Sequence, residues 1–90
     1  MKKNYRSIER VVKGFANHRR IQILELLKKS PELSVDEIAT ALDINFKTAS
    51  EHIRRLAIAG LVLKRSAGNN VRHKVTERAE TILKFLRILE

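Results

Sequence analysis

Residues 34–60 read SVDEIATALDINFKTASEHIRRLAIAG, and this stretch decides the fold. Ser34 with Glu37 three residues on forms a capping box, and Leu33 with Ile38 forms the hydrophobic staple around it. Val35, Ile38, Ala39 and Leu42 recur at i, i+3, i+4 and i+7, the spacing of one helical face. Leu42-Asp43-Ile44 breaks that pattern, and Asn45 offers a second N-cap. A second helix is predicted from about Phe46 to Ala59, with Gly60 as the residue that ends it. Two short helices joined this way read as a helix-turn-helix.

In the second helix, Ala49, His52, Ile53, Leu56 and Gly60 fall on one side at about 100° per residue, the side that packs. Lys47, Ser50, Glu51 and Arg54 fall opposite, flanked by Thr48 and Arg55. Short polar groups early in a helix and a basic residue one turn later suit insertion into the DNA major groove. Lys47, Thr48, Ser50, Glu51 and Arg54 are the expected base contacts. Glu51 is able to accept from cytosine and Arg54 to donate to guanine. An ordinary solvated face on a three-helix core is the competing reading.

Charge placement supports a polyanionic partner. The chain has 90 residues and a net charge of +9, a strong bias towards nucleic acid. Residues 1–29 carry nine Lys/Arg and two acids (+7), residues 30–60 three and five (−2), residues 61–90 seven and three (+4). Positive charge therefore flanks the helix-turn-helix, as phosphate-gripping elements around a base-reading helix would require. Solubility alone is the plainer explanation.

No segment approaches the ~20 apolar residues of a membrane span. The basic start MKKNYRSIERVV lacks an apolar run and a small-residue cleavage site, so no signal peptide and a cytoplasmic location are expected. There is no cysteine, which excludes disulfides and thiolate metal sites.

Upstream, residues 4–16 form an expected amphipathic helix with Tyr5, Ile8, Val11, Val12 and Phe15 on one stripe. Gly14 interrupts it, marking a break or a close helix contact. Asn17 caps a helix from His18 to about Lys29, whose Ile23, Leu24, Leu26 and Leu27 make it central to the core. Arg19 and Arg20 stand in its first turn, where the helix dipole disfavours cations. A phosphate contact and a salt bridge to Asp36 or Glu37 are equal readings of that anomaly.

Downstream, the period changes to two. Residues 61–65 and 71–75 read as strands joined by a loop at 66–70, with Gly68-Asn69-Asn70 supplying positive φ. Val71, His73 and Val75 are expected to pack, leaving Arg72 and Lys74 on a cationic face. A two-stranded ribbon must lie against helices, which makes it a wing. Thr76 caps a last helix, Glu77 to about Leu89, with Ala79, Ile82, Leu83, Phe85, Leu86 and Leu89 on a broad apolar arc. That arc exceeds what packing on its own domain requires and implies a partner, most simply a second copy. The expected homodimer interface is Tyr5, Ile8, Val12 and Phe15 with Ile82, Phe85, Leu86 and Leu89. Two-fold symmetry would set two recognition helices about one DNA turn (~34 Å) apart on a palindromic site.

The pattern resembles the winged helix-turn-helix repressors of the ArsR (arsenic-repressor) family. The pieces that carry the likeness are Ala16-Asn17-His18-Arg19-Arg20-Ile21-Gln22-Ile23-Leu24, Leu42–Asn45 through Thr48–Ile53, and Ala59-Gly60-Leu61-Val62. Ser50 and His52 match the family's Ser-x-His element, and Arg20 its basic residue opening the preceding helix. The resemblance implies a homodimeric transcriptional repressor whose outer helices form the interface. Many relatives release DNA when metal binds thiolates near the core helix, or His and acidic residues on the last helix. This chain departs from both patterns, since it has no cysteine and its last helix has Glu77, Glu80 and Glu90 but no histidine. No metal or cofactor is therefore expected, and the small-molecule effector is unknown.

The expected fold is mainly α with a small β-hairpin, a winged helix-turn-helix in the order α-α-α-α-β-β-α. One domain spans 1–90, with the helix-turn-helix at 34–60, the wing at 61–75 and outer helices at 4–16 and 77–89. Arg19, Arg20, Asn45, Arg55, Lys64, Arg65, Asn69, Asn70, Arg72 and Lys74 are the expected backbone contacts. The alternatives are a dimerising protein-interaction module and a non-specific nucleic-acid binder. Isolated Gly14, Gly60 and Gly68 make no phosphate loop, and no nucleophile stands beside a base, so an enzyme is not expected.

Overall fold

In a computed structural model describing residues 3–90, seven elements follow the expected order: α1 (Tyr5–Phe15), α2 (His18–Lys29), α3 (Val35–Leu42), α4 (Phe46–Ile58), β1 (Val62–Ala67), β2 (Asn70–Val75) and α5 (Glu77–Leu89). The first two residues of the basic start lie outside the described residues. Every helix begins on a side-chain cap that satisfies otherwise orphaned N–H groups. Asn4 Oδ1 accepts from Ser7, Asn17 Oδ1 from Arg19 and Arg20, Asn45 Oδ1 from Lys47 and Thr48, and Thr76 Oγ1 from Ala79. Ser34 and Glu37 make the full capping box, at 3.2 and 2.9 Å.

Between α3 and α4 the chain reverses through Asp43 in the left-handed region (φ 52°), where the Ile44 N–H donates to Ala39 O at 3.0 Å. A short polar side chain tolerates that conformation better than a branched one. Gly60 ends α4 at φ 76°, as a C′ glycine does.

The core gathers Ile23, Leu24 and Leu27 of α2, Ile38 of α3, Ile53 and Leu56 of α4, and Leu61, all with 1% or less of their surface exposed. Gly14 proves to be the close-contact residue, since a Cβ there would collide with Cβ of Ala59. Phe15 was expected at a dimer surface but lies in this core, 8% exposed, because the last turn of α1 packs against α4, where Gly14 meets Ala59.

The wing differs from expectation in two respects. Its strands run to Ala67 and from Asn70, pairing antiparallel with Val62 opposite Val75. The connection is thus a two-residue turn, with Gly68 at φ 64° in its first position, rather than a five-residue loop. The inward alternation holds at His73 and Val75 and fails at Val71, which is exposed, because the hairpin extends past the helices there. A third short segment also joins β2. Glu32 N–H donates to His73 O (2.9 Å) and His73 N–H to Leu33 O (3.0 Å). His73, 1% exposed, adds an Nδ1 to Leu33 O contact of 2.8 Å.

Gly14→Ala should lower stability by about 1–2 kcal/mol, because overpacking at Ala59 outweighs the ~1 kcal/mol gained in helix propensity. Urea unfolding measures it, and adding Ala59→Gly should recover most of the loss. A Gly14→Ala protein more stable than the native one would refute the close contact.

Candidate nucleic-acid interface

The geometry of α4 follows from its buried side. Ala49, Ile53 and Leu56 are buried, which fixes the rotation of the helix about its axis. Lys47, Thr48, Ser50, Glu51 and Arg54 are all exposed, and nothing among the described residues covers them. Phe46, the first helical residue, is 55% exposed beside them, and Ile58 is exposed at the far end. The packed set read from the sequence includes neither. Ile58 lies about 140° from Ile53, whereas Phe46, three residues before Ala49 and seven before Ile53, falls on the packed side by period and is exposed at the helix start.

The outer face is internally paired. Glu51 accepts from Arg54 Nη2 at 2.8 Å and Nε at 3.1 Å, and Arg55 Nε approaches it at 3.2 Å. The Arg54 hydrogen bond, with the nearby cations, holds the Glu51 carboxyl below the usual carboxylate range and raises Arg54. These are exposed pairs of low net worth, about 0–1 kcal/mol, so they orient the side chains without locking them.

Arg20 resolves the anomaly of a cation at a helix start. Its side chain leaves the N-terminus of α2 and donates through Nη1 to the carbonyls of Lys13 (3.2 Å) and Gly14 (3.1 Å). Those carbonyls lie in the last turn of α1, which has no intrahelical donors for them. Arg20 Nε donates to His52 Nδ1 at 3.3 Å. The guanidinium thus ties α1, α2 and α4 together, and neither Asp36 nor Glu37 is its partner. Accepting at Nδ1 requires the His52 tautomer protonated at Nε2. Burial, then the positive charge of Arg20, pushes His52 below the ordinary histidine value.

The other expected backbone contacts separate into engaged and free groups. Arg19 Nη1 donates to Gln22 Oε1 (3.1 Å), and the Asn45 oxygen is taken by its capping role. Arg65 pairs with Glu32, depressing that carboxyl chiefly through their hydrogen bond. Arg72, half-buried, donates to Glu32 O at 2.9 Å, with Glu37 Oε1 at 3.7 Å. Glu37 is itself held low first by its Ser34 bonds. Glu32 sits at φ 71°, a conformation costly for a residue with a Cβ, and these contacts hold it there. Lys64, Asn69 and Lys74 are exposed and make no side-chain bond or ion pair among the described residues. Asn70 pairs with Ala67 at the wing tip.

The groups His, Asp and Glu do not converge into a metal-holding cluster among the described residues. No helix is long and apolar enough to cross a membrane among those residues.

The family model for the bacterial regulatory protein, arsR family, matches residues 17–64, from the cap of α2 into the first strand of the wing. The chain belongs to the ArsR family. An HTH-type transcriptional regulator of Mycobacterium tuberculosis is 41% identical over 68 residues, 76% of this chain and 30% of that protein. Transcriptional activator HlyU of Vibrio cholerae is 37% identical over 71 residues, 79% of this chain and 65% of that protein. This chain thus spans 30% and 65% of the lengths of those two relatives. A solution structure of a homodimeric winged helix-turn-helix DNA-binding domain from Mycobacterium bovis, a possible ArsR-family transcriptional regulator, superposes with a TM-score of 0.86. It is 31% identical and covers 99% of this chain and 89% of that one.

Because His52 is lowered on folding, the unfolded chain binds the proton first as pH falls. The Arg20–His52 bond therefore contributes fully above the ordinary histidine value of about 6.5 and is lost as pH drops below it. Urea unfolding of the native protein and His52→Asn between pH 8 and 5 should show their stability difference narrowing as pH falls. A difference independent of pH would contradict the assignment.

Proposed function

We propose that this ArsR-family chain is a sequence-specific double-stranded-DNA-binding transcriptional regulator, acting as a homodimer on a palindromic site. Residues 1–90 work as one winged unit. The observation that carries the reading is the free polar face of α4, with Lys47, Thr48, Ser50, Glu51 and Arg54 exposed together. Those residues enter the major groove, while Lys64, Asn69 and Lys74 of the wing meet the flanking backbone. Arg65 and Arg72 support the wing through Glu32, so they act on DNA chiefly by holding its shape.

Dimerisation is supported by apolar side chains left outside the core. On α1 these are Tyr5, 76% exposed, with Ile8 and Val12. On α5 they are Phe85 and Leu89, with Ile88 80% exposed. Ile82 and Leu86 are half-buried against the core of their own chain, which makes them the floor of this surface. The Mycobacterium bovis domain, similar over nearly the whole chain, is homodimeric, which adds to the reading.

Occupying a promoter in the cytoplasm excludes polymerase, so repression is the sign we assign. The activator name of the Vibrio cholerae relative makes a promoter–reporter assay the decisive check.

Selection from a random duplex pool should return a two-fold symmetric site. Arg54→Ala should then cost about 1–3 kcal/mol on that site and little on random duplex, relaxing preference at one base pair. Lys64→Ala should weaken both duplexes alike. Equal losses on both duplexes for Arg54→Ala would defeat the base-reading assignment, and no binding to random duplex at low salt would favour a protein-interaction module.

Phe85→Asp with Leu89→Asp should convert the dimer to monomer in sedimentation while the helical signal remains. A dimer that persists would place the interface elsewhere.

A further inference from the structure

Between α1 and the C-terminal half of α4 lies a cleft of about 630 Å³. Arg6, Arg10 and Lys13 of α1, Arg20 of α2 and Arg55 of α4 line it, against the single carboxylate of Glu9. None of the first four is in an ion pair among the described residues. Five cations face one lining carboxylate there, and Arg20 feels the excess. Its guanidinium is depressed first by burial and next by the charge of Arg55.

The arrangement is a track. Arg6, Arg10 and Lys13 recur at i, i+4 and i+7, so they follow one side of α1 over roughly 10 Å of rise. Tyr5, Ile8 and Val12 lie roughly 140° around the same helix at 100° per residue, so a second copy on the apolar side leaves the cations free. At its other wall the cleft reaches Arg55 and Ile58, which belong to the exposed surface of α4 one turn beyond Glu51 and Arg54. The cleft is therefore continuous with the proposed base-reading face.

We propose that this cleft receives the phosphate backbone of DNA, extending the contact from α4 along α1. The inference rests on the DNA-binding reading given above. A small-molecule pocket would have mostly apolar walls with a few polar groups, whereas here, among the described residues, Ile58 and Ala59 supply the apolar side chains of the lining. A line of separate cations on a solvent-open wall suits a polymer of regularly spaced charges. Arg20 already donates to the Lys13 and Gly14 carbonyls, which leaves the Glu9 carboxylate as the one anionic side chain on a wall that carries five cations.

The test is the salt dependence of affinity for the selected duplex, comparing the unaltered protein with Arg6→Gln, Arg10→Gln and Lys13→Gln combined. Glutamine keeps helix propensity, and none of the three side chains makes a hydrogen bond or ion pair among the described residues, so thermal melting should be unchanged. A control removes the same charge elsewhere, with Lys29→Gln, Lys84→Gln and Arg87→Gln on the α2–α5 side. Each lost phosphate contact lowers the slope of log K against log[salt] by about 0.9. A dimer losing six contacts should fall by about 5, with the preferred sequence unchanged and the control close to the unaltered protein. A fall of less than about 2, or an equal fall in the control, overturns the track. If the unaltered protein binds no duplex, the functional reading fails instead, and the two failures are distinct.

Discussion

The rotation of α4 about its own axis is the constraint on which the rest of the molecule depends. Ala49, Ile53 and Leu56 are sealed against the interior, and at about 100° per residue Lys47, Ser50, Glu51 and Arg54 must then face away from it. A turn of the helix by one residue would drive Arg54 towards Leu24 and Leu27 and bring Ile53 to water. Burying an unpaired cation costs several kcal/mol, and exposing a buried isoleucine loses about 1.5–3 kcal/mol. Both terms act together, so the polar face is presented as a consequence of packing. The proposed recognition surface needs no separate ordering step.

Arg20 adds a second lock to the same helix. Its guanidinium spans the last turn of α1, the start of α2 and the inner edge of α4 through His52. Gly14 lets α1 come close enough for this, because its missing Cβ is what admits Ala59. The two features are coupled by geometry, since the Gly14 carbonyl that Arg20 holds belongs to the residue that touches α4. At that same C-terminal end of α4, Arg78 of α5 donates to Ala59 O at 3.1 Å, and Thr76 Oγ1 donates to Gly60 O at 2.8 Å. The C-terminus of α4 is thus satisfied by the element that carries the proposed dimer surface. In the proposed dimer, a change in how two α5 helices meet would have a direct polar route to the helix proposed to enter DNA.

What could be read from the sequence was local. Asn17, Ser34, Asn45, Thr76 and Gly60 act within one turn of themselves, so their identities placed the helix ends. The faces of α2 and α4 followed from period alone. What escaped was long-range. Nothing near His73 in sequence announces that Leu33, forty residues away, lies alongside it. The Glu32–Arg65 and Glu32–Arg72 contacts depend on that same unforeseen pairing. At the candidate site, exposure was legible, but engagement was not. Arg72 and Arg65 look like free wing cations until Glu32 is brought beside them. Phe15 looks like part of an outer stripe until the last turn of α1 is packed against α4 at Gly14 and Ala59. Arg20 was visible as a violation of dipole preference, while its partners, on α1 and α4, were not.

The pairing of Glu51 with Arg54 and Arg55 bears on how such a face would discriminate. A free arginine on a helix surface samples many rotamers, and fixing it on binding costs up to about 2 kcal/mol of side-chain entropy. Here the carboxylate already restricts two guanidinium groups, at the small cost of an exposed ion pair. In the proposed complex, Arg54 leaves Glu51 only if a base edge or phosphate gives it a better acceptor. Glu51, once released, needs a donor such as the cytosine amino group. A duplex lacking either partner leaves one charge unmatched in a partly dehydrated groove. The two side chains therefore select as a unit, and their mutual contact in the free protein is the reference against which any sequence must compete.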